Sequence, residues 1–123
     1  MTGRPPADVD PAAVSAALHS DRAETLSEIE ELTGDFDGMV AASASSNADD
    51  EHDPEGSTIA FERAQIVAVL ELAQRRLADV DGALQRLDAG TYGVCVRCGA
   101  GINEERLAAR PSVATCINCA KTG

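Results

Sequence analysis

The sequence predicts an all-α-dominated fold: an antiparallel helical hairpin of coiled-coil type, followed by a small C-terminal domain pinned by four cysteines. Three observations predict it. Two long stretches carry apolar residues at alternating steps of three and four, which gathers them on one helix face. A polar segment punctuated by Pro and Gly separates those stretches and reads as a turn. The four cysteines then stand as two close pairs near the end of the chain.

Taken in order, residues 1–11 are rich in Pro and Asp and read as a flexible lead-in. A first helix is expected from about Pro11 to Ala42. Leu18, Ile29, Leu32, Phe36 and Met39 form its seam, and Arg22 and Thr25 fill two weaker positions. Gly34 and Gly38 weaken its last turns, each by about 1 kcal/mol relative to Ala.

The second helix has the more regular seam: Ile59, Arg63, Ile66, Leu70, Ala73, Leu77, Val80, Leu84 and Leu87, with Arg63 its one polar member. Ser57 or Thr58 can cap its start, Glu62 suits the positive end of the helix dipole, and Asp88-Ala-Gly90 supplies the stop. About 30 residues at roughly 1.5 Å each make a rod of about 45 Å. Residues 43–57 form the turn, so 12–89 read as a hairpin with an acidic tip. Two helices of an ordinary bundle joined by a long loop are the alternative, and the unbroken heptad favours the hairpin.

Composition agrees. A chain of 123 residues allows one compact domain, or a small one with an extended appendage. Its aromatics are only Phe36, Phe61 and Tyr92; the Ala, Leu and Val that dominate suit paired helices better than a large globular core. The net charge of −11 is uneven. Residues 7–42 hold nine acids against Arg22 alone, whereas 91–123 carry four basic residues against Glu104 and Glu105. Such a chain repels phosphate backbones, which argues against general nucleic-acid binding through electrostatics. No apolar run approaches the roughly 20 residues of a membrane span, and the N-terminus lacks a signal-like apolar segment. A reducing cytoplasm is the expected location. Paired cysteines there are more often metal ligands or redox centres than disulfides.

Cys95 and Cys98, then seventeen residues, then Cys116 and Cys119, repeat the C-x2-C spacing of a zinc finger. Two intervening residues let both thiolates of a knuckle face one ion. Four thiolates close every tetrahedral position, so a single structural Zn²⁺ is expected rather than a catalytic one. Tyr92-Gly93 and Gly99 supply the tight turns. A redox dithiol would need a strand–helix setting that the sequence lacks, and it would leave the second pair unexplained. His19 and His52 are far from the cysteines and read as solvated.

From Gly90 onward, Tyr92-Gly93, the first cysteine pair with Gly99, Ile102, Arg106-Leu107, Ala109-Arg110-Pro111 and the second pair closely resemble the DksA/TraR zinc-finger family of bacteria. The preceding hairpin resembles that family's longer members. The resemblance implies a finger domain over 90–123, RNA polymerase as partner, and insertion of the coiled-coil tip into the enzyme's secondary channel without reading promoter DNA. Active members carry Asp-x-x-Asp-x-Ala at the tip. Here Asp50-Glu-His-Asp53-Pro-Glu55 keeps both Asp and puts Glu where Ala belongs, while a register starting at Asp53-Pro54 puts Gly56 at the second Asp.

Asp49, Asp50, Asp53 and Glu55 are therefore the candidate partner-binding residues. Carboxylates there could engage cationic side chains or the Mg²⁺ of a polymerase centre, or simply form a solvated acidic turn. Arg97, Arg106 and Arg110 are read as a second contact or as salt bridges to the hairpin. No nucleophile–base pair, phosphate loop or open metal position is apparent, so no enzyme is expected. The expected protein is a monomeric, zinc-bearing transcription regulator. A protein-interaction adaptor with a diverged tip and a zinc-ribbon nucleic-acid binder are the alternatives.

Overall fold

A computed structural model describes residues 9–46 and 54–122, with side chains over 9–42 and 58–122. Four helices follow in order: α1 (Pro11–Ser46), α2 (Pro54–Ala89), α3 (Glu104–Ala109) and α4 (Ile117–Thr122). The first two form the expected hairpin. Among the described residues there is no strand, only an isolated antiparallel bridge between Val94 and Gly101. No helix there is long and apolar enough to cross a membrane.

The start of α1 lies within the segment expected to be flexible. Asp10 accepts from the backbone N–H of Ala12 through Oδ1 (3.0 Å) and from that of Val14 through its carbonyl (3.0 Å). It thus acts as the N-cap, and Pro11 stands at the first helical position, where its missing N–H costs nothing. Val9 packs against the core.

Both long helices also run further into 43–57 than composition suggests. α1 continues to Ser46, and α2 begins at Pro54, so Ser57 and Thr58 lie inside the helix instead of capping it. Ser is only mildly unfavourable in a helix, and Pro54 takes the first-position role that Pro11 takes in α1. At the other end of α2, Thr91 N–H donates to Arg86 O (2.9 Å) and Gly90 N–H to Leu87 O (3.2 Å). With Gly90 at φ 77°, this is the paired Schellman termination expected from Asp88-Ala-Gly90.

The chain divides into two compact units: Met1–Ala23 with Leu77–Gly123, and Glu24–Arg76. In the first, the early turns of α1 lie beside the late turns of α2, which makes the pairing antiparallel. Leu18, Val80 and Ala83 share one core with Tyr92, Cys95, Ile102, Leu107, Val113 and Cys116. Arg22 Nε donates to Asp81 Oδ1 at 2.7 Å, so this weak seam position is filled by an ion pair between the helices. In the second unit, Thr25 and Ala73 are buried and Ile29, Leu32, Phe36, Met39, Ile59, Ile66 and Leu70 are half-buried, as the seam requires. Phe61 and Leu72, outside the seam, are 64% and 58% exposed.

Candidate metal centre

A tight knuckle brings Cys95 and Cys98 together. Cys95 N–H donates to Ala100 O (2.8 Å) and Gly99 N–H to Cys95 O (2.9 Å), so the chain doubles back at once. Gly93 and Gly99 hold φ of 84° and 77°, the left-handed region in which a side chain would be strained. Ile102 N–H closes the base of the knuckle on Gly93 O at 2.7 Å.

The second pair is carried by α4. Cys116 immediately precedes the helix and accepts from Ala120 N–H (3.0 Å), while Cys119 lies in the first turn. Between the pairs, Asn103 caps α3 by accepting from Glu105 N–H (2.8 Å), and α3 buries Leu107.

The four Sγ atoms all lie within 4.8 Å of one another, and those of Cys98 and Cys116 are 3.7 Å apart. A zinc tetrahedron with Zn–S bonds of about 2.3 Å has edges of about 3.8 Å, so the cluster fits that ion. A disulfide would need about 2.0 Å, and all four cysteines are free. Soft thiolates in a closed tetrahedral set suit a structural ion, with no position left for water or substrate.

The metal-free thiols divide sharply in acidity. Hydrogen bonding to the Cys116 backbone draws Cys95 down to about 6 against the opposing effect of burial. Cys116 is lowered as well, first by hydrogen bonding to the Cys119 backbone. Cys119 is pushed up to about 12, chiefly by its hydrogen bonds to Cys116 and Cys98. Such a cluster retains a proton on one thiol while another is already ionised.

The segment 111–115 leads into Cys116 without helix or strand, yet each of its carbonyls accepts a hydrogen bond. Tyr92 Oη donates to Pro111 O (2.8 Å), Arg86 Nη2 to Ser112 O and Val113 O (3.5 Å each), Val96 N–H to Ala114 O (2.9 Å) and Arg106 Nε to Thr115 O (2.9 Å). Arg97 Nη1 ties the two pairs together through Cys119 O (3.2 Å). Arg97 and Arg106 thus bond backbone carbonyls inside the finger; Arg110 is exposed. Sequence reasoning missed Arg86. It also missed the hydroxyl role of Tyr92. Arg86 stands outside every motif, and the identity of Tyr92 does not reveal its bond, because the partners are main-chain atoms 19 to 27 residues away.

Of the other candidates, His19 is exposed on α1, as expected. Asp49, Asp50, His52 and Asp53 lie outside the described residues. Glu55 is placed only as the second residue of α2.

Comparison with known proteins follows the same geometry. The prokaryotic DksA/TraR C4-type zinc finger matches residues 90–122. An uncharacterised protein of Aquifex aeolicus is 47% identical over 45 residues, covering 37% of this chain and 31% of that protein. General stress protein 16O of Bacillus subtilis is 39% identical over 66 residues, covering 54% and 40% respectively. The chain therefore spans well under half the length of these relatives. Transcription factor DksA2 from Pseudomonas aeruginosa is similar over 94% of this chain and 90% of its own, at a TM-score of 0.52 and 26% identity. Cysteine spacing and sulfur cluster agree with the DksA/TraR C4-type zinc finger matched at residues 90–122, and the helical hairpin agrees with the likeness to DksA2 over nearly the whole chain.

Proposed function

We propose that this chain is a zinc-bearing, non-catalytic transcription regulator that docks on bacterial RNA polymerase. Its hairpin tip enters the secondary channel, and no DNA sequence is read. The observation that carries the reading is the likeness to the transcription factor DksA2 across nearly the whole chain, hairpin included. The acidic charge supports it further, since a chain at −11 gains little from phosphate backbones. One Zn²⁺ is held by Cys95, Cys98, Cys116 and Cys119. It supplies cross-linking of two backbone turns and no reactive chemistry. The protein acts as a monomer in the cytoplasm.

Asp49, Asp50, Asp53 and Glu55 form the contacting end in this reading, their carboxylates suited to cationic side chains or Mg²⁺. The test is copurification with RNA polymerase, followed by crosslinking from a photoreactive residue at position 53. Crosslinks inside the secondary channel are expected, and crosslinks elsewhere would overturn the mechanism. One observation favours a second reading. Glu55 stands where the family signature has Ala, which fits an adaptor of the same fold with a different protein partner. Capture of a partner other than polymerase through position 53 would favour it. Salt-sensitive gel shifts with DNA or RNA would instead support a zinc-ribbon nucleic-acid binder.

A further inference from the structure

We propose that Arg86 is a positioning residue for the metal centre, coupling occupancy of the cysteine cluster to the last turns of hairpin helix α2. The proposal rests on the zinc reading of the four cysteines. Segment 111–115 delivers Cys116, and since it is neither helix nor strand, its shape depends on what its carbonyls bond. Tyr92, Val96 and Arg106 all belong to the finger or its entry. Among the described residues, Arg86 is the one donor to this segment shown to stand on a hairpin helix, and its Nη2 serves two successive carbonyls, those of Ser112 and Val113. Both contacts are long at 3.5 Å, but the donor is cationic and half-buried, conditions that strengthen a hydrogen bond.

A second observation concerns the space that Arg86 occupies. Gly82 lies in the interior of α2, where glycine is unfavourable relative to Ala. A Cβ built at Gly82 would stand 3.2 Å from Arg86 Nη1. The glycine leaves room for the guanidinium to lie along the helix and reach the segment before Cys116.

Two of the four ligands, Cys95 and Cys116, already share a core with Val80 and Ala83 of α2. Arg86 adds a directional contact to that packing. If its contact favours the conformation that presents Cys116, metal binding must favour the contact by the same factor. Outer-shell partners of metal ligands commonly change affinity by 10–100-fold, and Arg86 acts one step further out, through the backbone, so about tenfold is expected.

The experiment uses the full reduced chain loaded with Zn²⁺ and measures transfer of the metal to a chromophoric chelator, with hydrogen exchange followed over residues 84–91. Arg86→Met is expected to weaken zinc retention about tenfold. Arg22→Met breaks the Arg22–Asp81 ion pair in the same unit without touching segment 111–115, and should leave retention unchanged. Arg86→Lys keeps the stem and charge but not the planar fork, so a loss of about threefold is expected, a readout that remains if the Met variant does not fold. Removing zinc should speed exchange at 84–91 in the parent and add little in Arg86→Met. Zinc retention in the Arg86 variants equal to that of Arg22→Met would overturn the proposal. A parent chain that takes up no zinc would instead overturn the zinc reading itself, and the coupling with it.

Discussion

Tyr92 shows how one side chain can serve both the core and the finger. Its ring is buried beside Leu107 and Val113, and its hydroxyl donates to Pro111 O at 2.8 Å. Tyr92→Phe keeps the ring and orphans the carbonyl, a loss expected to cost roughly 1–2 kcal/mol in chemical denaturation. Burial also raises the Tyr92 pKa, against the opposing effect of Arg86. An acid whose folded pKa exceeds its unfolded one contributes stability below the unfolded value, near 10, and loses it as pH rises through the folded value. Parent stability should therefore fall more steeply than that of Tyr92→Phe above about pH 10. The cysteines give the opposite kind of test. With Cys119 pushed up to about 12 and Cys95 drawn down to about 6, zinc uptake at pH 7 must expel protons from the cluster. Titration in weak buffer should record that release, and apparent zinc affinity should fall as pH falls. The clustering of the four cysteines was legible, because C-x2-C spacing is a local signal. Tyr92 and Arg86 were not, since a bond to a carbonyl leaves no trace in residue identity.

At the scale of elements, the seams were legible because burial imposes one period on many residues at once. Leu18, Thr25 and Val80, placed on the seams by period alone, are fully buried. Ala83 is buried too but falls between seam positions, and the heptad does not mark it. Helix ends were less legible: Pro54 reads equally well as a turn residue and as the first residue of a helix. The short helices α3 and α4 have six residues each, too few for periodicity to show. Two changes test this level. Leu18→Ala should cost about 2–5 kcal/mol, as expected for a fully buried leucine in a shared core. Gly34 and Gly38 lie inside α1, and a Cβ at either would meet nothing within 4 Å. Their glycines serve neither a turn nor close packing, so Gly34→Ala and Gly38→Ala should each stabilise by about 0.5–1 kcal/mol, read as a raised denaturant midpoint. Destabilisation would mean that this stretch needs its flexibility.

For the whole molecule, charge and cysteines are segregated along the chain, and the proposed functions follow that division. Residues 91–123 carry the cysteine cluster and four of the ten basic residues, while 43–58 carry five acids and no Lys or Arg. The finger's side chains bond inward: Arg97 and Arg106 hold carbonyls of their own domain, and Cys95 and Cys116 are buried in the core. Such inward bonding suits a stabilising role for the finger, and in the proposed reading the acidic stretch is the end that meets a partner. The two roles should then separate by mutation. Asp50→Asn with Asp53→Asn removes two charges and retains side chains of similar size, so bound zinc and far-ultraviolet circular dichroism should match the parent. Its effect on polymerase in transcription assays should be lost, because an amide is a weaker ligand for cations than a carboxylate. Cys116→Ser should do the reverse, releasing zinc and exposing the core around Val113 and Leu107 to hydrogen exchange while the tip sequence is intact. If the double Asn variant acts on transcription like the parent, the acidic stretch is a solvated turn, and the contact must be sought on the helices, where Phe61 and Leu72 stand exposed outside the seam.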